Sequence, residues 1–388
     1  MATESQQTPE EFRAMVRAFL DQALTPEMRV ECARQIGVFA EPKLSRRWHR
    51  ILYEQGWITP TWPAEHGGIG WSPLERYIFD QECARADAPT LSAQGLQMCG
   101  PILIQFGTPE QQARFLPGIR SGEDYWCQGY SEPGAGSDLA ALSCRAKRDG
   151  DHYVINGTKI WTTHAHHANR IFLLVRTASG ERPQNGITFL LAEMASPGIT
   201  VRPIVSMSGE HEVNQVFFDE VRVPVENRIG AENDGWNVAK RLLEFERSGF
   251  YGPRILRLLA RTERLARADG EMWKQRDFRR RFAELSIERD ALEAGELRMI
   301  VSSESVASGI TSSILKLAGT EVMQRATELA VLAGGMHSAY VLNDLSDNTV
   351  EREAAMSMAN YLNTRAATIY GGSNEVQRNI LAKTALGL

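Results

Sequence analysis

The sequence predicts an α+β protein of several domains, in which a β domain lies between two helical domains. Apolar residues recur at helical spacing before about Tyr125 and again after Gly235. Between these points the apolar residues form short runs bounded by turn residues, as in β-strands. A length of 388 residues also exceeds the usual size of one domain. The predicted domains are residues 1–124, 125–234 and 235–388.

Composition excludes several classes of function. The chain has 43 basic and 48 acidic residues, a net charge of −5, so no basic field supports nucleic-acid binding. The longest apolar runs, Ile171–Val175 and Ile187–Ala192, are far shorter than the roughly 18 residues of a membrane-spanning helix. We therefore expect neither a nucleic-acid partner nor a membrane span.

The cysteines and the N-terminus predict a cytoplasmic location. Five cysteines, an odd number, are widely spaced and form no CxxC motif, which favours reduced thiols over disulfides or a zinc site. The segment Met1–Glu11 has neither the apolar core of a secretory signal nor the Arg-rich pattern of a transit peptide.

The first 124 residues contain a series of predicted helices. Helical periodicity covers Pro9–Leu20, Ser45–Gln55 and Leu74–Arg85. A further helix is predicted to begin after Thr108, because Pro109 suits the first helical position and Gln111 can complete a capping box. Gly56–Pro73, rich in Trp, Pro and Gly, predicts a long irregular loop.

The middle region predicts strands. Asn156-Gly157 between His152–Ile155 and Lys159–Trp161 is typical of a β-hairpin turn. Further strands are predicted at Ile171–Val175, Ile187–Leu191, Ile199–Pro203 and Gln215–Phe218. Together they predict a compact β domain of about 110 residues.

The last region returns to helical periodicity, and its helices are long enough for an antiparallel bundle. The predicted helices are Asn237–Phe245, Ile255–Ala268, Phe278–Arg298, Gln324–Leu332 and Glu351–Tyr370. Ser373 is predicted to cap a last helix.

The segment Ser131–Leu139, SEPGAGSDL, is the first candidate for chemistry. Its glycines allow a ligand to approach the backbone, and Ser137 and Asp138 can cap a turn or bind a phosphate. It lacks the strand-GxGxxG-helix context of a dinucleotide site, so by itself an ordinary turn is the more common interpretation.

Trp161 and Thr163 form the second candidate, since indole stacks on planar cofactors and a Thr hydroxyl donates to ring nitrogens. A tryptophan buried in a sheet is the commoner alternative. His164, His166 and His167 follow directly, but their spacing does not match a zinc pattern, which favours a polar loop without metal.

Two further motifs are ordinary when each is taken alone. Glu246-Arg247 lies on a predicted helix, where a solvated charged face is the simpler interpretation. Tyr370-Gly371-Gly372 precedes a helix N-terminus, whose amides favour anions or carbonyl oxygens.

Together these segments resemble the acyl-CoA dehydrogenase family over nearly the whole chain. The resemblance is carried by Ser131–Asp138, Asn156–Thr163, Phe217–Pro224 and Tyr370–Arg378, with Gly107–Pro117 as a helix start before the β domain. It implies a helical N-terminal domain, a β-barrel-like middle domain and a C-terminal four-helix bundle.

The resemblance also implies FAD and the oxidation of an acyl-CoA substrate to the trans-2-enoyl-CoA, with electrons passed to electron-transfer flavoprotein. It places Trp161 on the flavin ring, Thr163 near flavin N5 and Ser131 at the pyrimidine end of the ring. Ser137 is implied to lie near the FAD pyrophosphate and the CoA. The remaining cofactor contacts it implies are Gly136, Ser373 and Glu375.

One departure concerns the catalytic base. Many family members carry a Glu between the Tyr and Gly of the C-terminal motif, where this chain has Gly371. A subgroup, including the isovaleryl-CoA and long-chain enzymes, places the base on the helix that here carries Glu246. We therefore expect Glu246 as base, Arg247 as its charged neighbour, and Gly371 as a backbone donor to the thioester carbonyl. Tyr370, Arg247 and Ser137 are the expected substrate contacts.

Another departure concerns the subunit interface. The family's Arg-x-x-Phe-Gly segment is not recognisable between Ala266 and Phe282, and no Gln stands before Gly334-Gly335. These changes resemble a bacterial subgroup that acts on steroid side chains or dicarboxylyl-CoA. The expected assembly is a homo-oligomer or a hetero-oligomer with another acyl-CoA dehydrogenase subunit. The alternatives left open are a FAD-binding subunit without catalysis and an acyl-CoA oxidase-like flavoprotein.

Overall fold

The computed structural model describes residues 7–246, 249–268, 270–301, 309–339 and 349–388. The chain divides into two compact units, each built from separated segments. The first unit consists of Met1–Ser45, Gly70–Thr90 and Ser248–Leu388. The second consists of Arg46–Ile69 and Leu91–Arg247.

The helices begin where short capping sequences place them. Thr8, Thr25, Ser72 and Thr108 each cap a helix whose next residue is a proline. The predicted capping box at Thr108 is confirmed, with Gln111 donating its backbone N–H to Thr108 and accepting from the Thr108 N–H. The helices of the N-terminal region are α1 (Pro9–Ala23), α2 (Pro26–Ala33), α3 (Pro42–Glu54), α4 (Pro73–Arg85), α5 (Gly100–Phe106) and α6 (Pro109–Ser121).

Two local features of this region were not predicted. The helix α2 has only eight residues, too short for its periodicity to stand out. A π-helical turn, Gln94–Cys99, leads directly into α5. The predicted loop Gly56–Pro73 is irregular apart from one 3₁₀ turn, Ala64–His66.

The C-terminal helices of the first unit pack around one apolar core. Ile255, Leu285, Leu292, Val322 and Leu329 are among its buried residues. The helices after the β domain are α7 (Gly235–Glu246), which belongs to the second unit, α8 (Gly252–Ala268), α9 (Glu271–Lys274), α10 (Arg276–Val301), α11 (Gly309–Gly334), α12 (Thr349–Thr364) and α13 (Asn374–Ala385). Contacts of α11 with α8, α10, α12 and α13 form the predicted helical bundle.

The second unit contains an eight-stranded sheet in the order β6-β7-β3-β2-β4-β5-β8, with β1 parallel to β4. Its strands are β1 (Trp126–Gly129), β2 (Arg145–Asp149), β3 (His152–Thr163), β4 (Arg170–Arg176), β5 (Ile187–Glu193), β6 (Ile199–Ile204), β7 (Val213–Pro224) and β8 (Arg228–Ile229). Its core includes Tyr153, Ile155, Ile171, Leu190 and Val216, all fully buried. Helices, sheet and helices therefore follow one another as the sequence predicts.

The predicted hairpin at Asn156-Gly157 is wrong. Both residues lie inside β3, which runs unbroken from His152 to Thr163. The hairpin turn is at Gly150-Asp151 instead, where Asp149 pairs with His152. At Gly157 the pairing of β3 with β7 shifts by a bulge, and φ is +148°.

No described helix is both long and apolar enough to cross a membrane.

Candidate active site

The glycine-rich segment of the second unit is a tight turn with an exposed backbone. Glu132 and Ala135 exchange backbone hydrogen bonds of 2.8 and 3.0 Å, which closes the turn at Pro133-Gly134. A side chain built at Gly134 or Gly136 would meet no atom within 4 Å, so a ligand can approach the main chain there. Ser137 is also exposed.

A buried ion pair anchors this turn to the sheet. Lys159 on β3, which is fully buried, donates to Glu132 Oε1 at 2.7 Å and to the Tyr130 carbonyl at 3.1 Å. The Ser143 and Cys144 backbone N–H groups also donate to the Glu132 carboxylate, at 2.6 and 2.9 Å. Burial raises the pKa of Glu132, but the Lys159 ammonium and these donors outweigh it, so the pKa is lowered.

The predicted cofactor residues Ser131, Trp161 and Thr163 lie close together in this unit. The Ser131 carbonyl accepts from the Ile160 N–H at 2.9 Å, one residue before Trp161. Trp161 has a left-handed φ of +60°, and 59% of its surface is exposed. The expectation of an indole presented to a ligand fits this exposure better than the alternative of a Trp buried in the sheet.

Glu246 lies at the C-terminal end of α7, whose N-terminus contacts β5. A Cβ at Gly235 would lie 2.6 Å from the Phe189 nitrogen, so only glycine allows this approach. Val238 and Leu242 are buried on one face of α7, and Glu246 follows at the same four-residue spacing. Glu246 itself is half-buried, so it does not lie on a fully solvated face of the helix.

Two side chains from β1 and its continuation lie beside Glu246. The Gln128 Nε2 donates to Glu246 Oε2 at 3.5 Å. Burial and the Glu246 carboxylate raise the pKa of the Tyr130 hydroxyl well above its ordinary value. Within the described part of the chain this hydroxyl is buried and has no hydrogen-bond partner. A carboxylate and a buried hydroxyl thus lie near the strand that leads into Ser131.

The C-terminal motif belongs to the first unit and forms a left-handed turn. Gly371 and Gly372 have φ of +66° and +90°, and 41% of the Tyr370 surface is exposed. Ser373 then caps α13 as predicted, because its Oγ accepts from the Val376 N–H at 3.3 Å. Glu375 is exposed in the first turn of this helix.

Helix α11 fixes both ends of this turn through a buried cation. The Lys316 Nζ donates to the Ala367 carbonyl at 3.2 Å and to Asn374 Oδ1 at 2.8 Å. Burial lowers the pKa of Lys316 to about 8. Lys316 therefore stabilises the turn that carries Gly371.

The structure divides the predicted site residues between the units. The second unit contains Ser131, Gly136, Ser137, Trp161, Thr163 and Glu246, and the first contains Tyr370, Gly371, Ser373 and Glu375. Arg247 lies outside the described residues. The three predicted loop histidines lie beside His211, and the described residues contain no cluster of three or more His, Cys, Asp or Glu side chains suited to a metal.

The donor set of the second unit fits a flavin. The exposed indole of Trp161 offers a stacking face, and the open backbone at Gly134 and Gly136 can approach a pyrophosphate. Ser131, whose carbonyl accepts from the Ile160 N–H, and Thr163, three residues further along β3, each carry a hydroxyl donor.

Comparison with known proteins shows which protein family the chain belongs to. Models of the acyl-CoA dehydrogenase N-terminal, middle and C-terminal domains match residues 6–123, 127–221 and 233–386. The chain belongs to the acyl-CoA dehydrogenase family, whose enzymes are oxidoreductases acting on CH–CH groups. Acyl-CoA dehydrogenase IpdE1 of Mycobacterium tuberculosis is 39% identical over 395 residues, which cover 98% of each chain.

Solved structures show the same fold. The Tcur3481-Tcur3483 steroid ACAD has a TM-score of 0.87 and 31% identity, covering 100% of this chain and 99% of that one. The ChsE4-ChsE5 complex from Mycobacterium tuberculosis has a TM-score of 0.82 and 30% identity with the same coverage.

Several residues near the candidate site were not assigned by sequence reasoning. They are Gln128, Tyr130, Glu132, Lys159 and Lys316. A lysine inside an apolar helix or strand is itself a signal, because buried lysines need partners. The four-residue spacing of Val238, Leu242 and Glu246 is a second signal, since Glu246 stands at a position where the periodicity of the helix predicts an apolar residue.

Proposed function

We propose that this protein oxidises the Cα–Cβ bond of a CoA thioester with FAD as cofactor and Glu246 as base. The observation that carries the proposal is the half-buried position of Glu246 at the end of α7, in contact with Gln128 three residues before Ser131. A carboxylate is a suitable general base for proton abstraction when it lies within reach of the reacting carbon.

The proposed reaction removes a proton from Cα and a hydride from Cβ, and a different group serves each transfer. The Glu246 carboxylate takes the proton from Cα, and Gln128 orients the carboxylate through its amide. The backbone N–H of Gly371 donates to the thioester carbonyl, which stabilises the charge that develops as the proton leaves. A bound FAD would supply the hydride-accepting chemistry at Cβ. Trp161, Ser131 and Thr163 would hold and orient the flavin ring, and Gly136, Ser137, Ser373 and Glu375 would contact the rest of the cofactor.

A bulky acyl group, derived from a steroid or another ring system, is the proposed substrate. By the family resemblance, Gly371 stands where many members carry a glutamate, and the missing side chain would leave more room for the acyl group. The solved relatives include one named as a steroid ACAD. Tyr370 and Ser137 are the proposed substrate contacts, and electron-transfer flavoprotein is the proposed electron acceptor.

A variant of Glu246 tests the base. We expect Glu246→Gln to bind FAD but to lose flavin bleaching by a reactive acyl-CoA at least about 1,000-fold, because the amide cannot accept the proton. Glu244→Gln is the matched control, since Glu244 lies two residues earlier on the same helix, is exposed and pairs with Arg241. Undiminished bleaching in Glu246→Gln would contradict the assignment. A panel of CoA esters that includes steroid side chains identifies the acyl group.

A FAD-binding subunit without its own turnover is the second candidate function. Gly371 favours it, as does the two-component name of the ChsE4-ChsE5 relative. Native mass spectrometry of the chain expressed alone separates the two candidates. A homo-oligomer with FAD in every chain and turnover supports the first, and a chain that turns over only with a second subunit supports the other. Peroxide formation under air, without electron-transfer flavoprotein, would indicate an oxidase.

A further inference from the structure

The backbone that follows Trp161 is held by side chains. Pairing between β3 and β7 shifts between Lys159 and Thr162, so Trp161 lies in a bulge. Bulges re-aim side chains and disturb the regular ladder. Two side-chain amides cap the carbonyls just beyond it: Asn214 Nδ2 donates to the Thr162 carbonyl at 3.0 Å, and Gln94 Nε2 donates to the Thr163 carbonyl at 3.4 Å.

Asn214 is fully buried on β7 and makes three hydrogen bonds. Besides the bond to Thr162, its Nδ2 lies 2.9 Å from His166 Nδ1, and its Oδ1 lies 2.6 Å from His211 Nε2. The Thr162 carbonyl only accepts, so Nδ2 must face it, and Nδ2 carries a second N–H for His166. His166 Nδ1 is therefore an unprotonated acceptor, and His211 Nε2 carries a proton.

The histidines form a cluster around this asparagine. The His166 ring stacks on His211 at 3.8 Å between centroids and lies 4.0 Å from His167. His164 Nδ1 lies 2.7 Å from the Tyr125 hydroxyl, and its backbone N–H donates to the Glu212 carbonyl.

Charged groups of both signs border the cluster. Arg46 donates to the His167 carbonyl at 3.3 Å and lies over the Tyr125 ring, and the Glu212 side chain, which follows His211 in the chain, is buried. Burial, followed by the neighbouring imidazoles, lowers the pKa of His166 to about 4 and that of His164 to about 3. At neutral pH these two rings are therefore uncharged.

We propose that Asn214 is a positioning residue for the flavin, that it fixes the Trp161–Thr163 backbone through Thr162, and that its hydrogen bond to His166 makes this positioning acid-sensitive. The inference rests on the proposed function, because it takes Trp161 and Thr163 as flavin contacts.

The donor and acceptor pattern gives the reason for acid sensitivity. Protonation of His166 turns Nδ1 into a donor that faces the Asn214 NH₂ group, and it places a charge against the stacked His211 ring. Rotating the Asn214 amide would satisfy His166 but would set Oδ1 against the Thr162 carbonyl oxygen. Rotation therefore removes the hydrogen bond to the backbone that carries Trp161, and without rotation two donors face each other at His166 and Asn214, which favours that rotation.

The sign of the pH effect follows from the lowered pKa of His166. The unfolded chain binds a proton at the ordinary value of 6.5, and the folded chain does so only near 4. The stability contributed by the uncharged ring is complete above pH 6.5 and is lost as pH falls from there towards 4.

Two variants test the inference by FAD affinity and flavin spectrum, both read without turnover. Asn214→Leu keeps the side-chain volume but removes the donor, and we expect roughly tenfold weaker FAD binding at neutral pH with a shifted flavin absorption band. His166→Gln keeps an uncharged acceptor, and we expect it to retain FAD to a lower pH than the wild type. His152→Gln, outside the cluster, is the matched control for loss of an imidazole.

The outcomes separate this inference from the proposed function. A folded Asn214→Leu variant with unchanged FAD affinity and spectrum would overturn the positioning role. If that variant does not fold, the pH profile of FAD release decides, and a His166→Gln profile equal to that of the wild type would overturn the inference. A wild-type protein that binds no FAD at neutral pH would overturn the proposed function and this inference together.

Discussion

At the scale of the residue, charge burial is the feature that shapes the candidate site. Lys159 and Glu132 are both buried, yet every charged atom of the pair has partners. A buried ion pair of this kind is stable only while both members and their hydrogen bonds are present, because an isolated buried charge is poorly solvated. The pair holds the Ser131–Ser137 turn against β3, where Trp161 lies.

Removing one member of the pair therefore has a large predicted cost. We expect Lys159→Met to lower the free energy of unfolding by about 3–5 kcal/mol, since it leaves the Glu132 carboxylate buried without its cation. Chemical denaturation followed by circular dichroism measures the change. Lys147→Met, at an exposed position of the neighbouring strand β2, is the control and should change stability by less than about 0.5 kcal/mol. Equal effects of the two variants would contradict the argument.

At the scale of secondary-structure elements, the local sequence correctly predicted where several helices begin, but it placed the β-hairpin turn at the wrong residues. The capping boxes at Thr8, Ser72 and Thr108 depend on neighbouring residues only, so their sequence is sufficient. Asn156-Gly157 has the composition of a two-residue turn, but β3 pairs on both sides through this point, with β2 and β7. Gly157 serves close packing, because a Cβ there would lie 2.7 Å from Cys144 Cα.

Substitution of two glycines distinguishes these roles. We expect Gly157→Ala to destabilise the protein by roughly 2–4 kcal/mol, through its φ of +148° and the clash with Cys144. Gly150→Ala, in the true hairpin turn, should cost only about 1–2 kcal/mol, because its φ is +62° but the surrounding space is open. Thermal unfolding of both variants measures the difference. A larger loss of stability in Gly150→Ala than in Gly157→Ala would contradict these roles of the two glycines.

At the scale of the whole molecule, the two compact units are built from segments far apart in the chain. The contiguous boundaries near Tyr125 and Gly235 stay a prediction. The reduced state of the cysteines stays a prediction, and in the structure all five are unpaired thiols, four of them buried. Burial raises the pKa of every one of these thiols, to about 12 for Cys32 and about 11 for Cys144.

The rate at which a thiol reagent modifies the five cysteines tests whether their side chains are buried in both units. A thiol reagent attacks the thiolate, so we expect negligible modification of the folded protein at neutral pH. After unfolding in denaturant, all five cysteines should react rapidly. Addition of a reducing agent should leave the Tm unchanged, because there is no disulfide to break. Rapid labelling of the folded protein would show that the units open more readily than their packing indicates.

The sequence by itself determined the order of helical and β regions, the family and the candidate residues, because periodicity, caps and motifs are properties of neighbouring residues. Tertiary structure decided the contacts between distant residues: Glu132 with Lys159, Gln128 with Glu246, Asn214 with Thr162, and Lys316 with Asn374. It also decided that Asn156-Gly157 is a bulge and that Trp161 faces outward. These outcomes depend on which strands and helices pack together. A buried polar group needs a hydrogen-bond partner, and the spacing of residues along the chain does not specify which distant residue provides it.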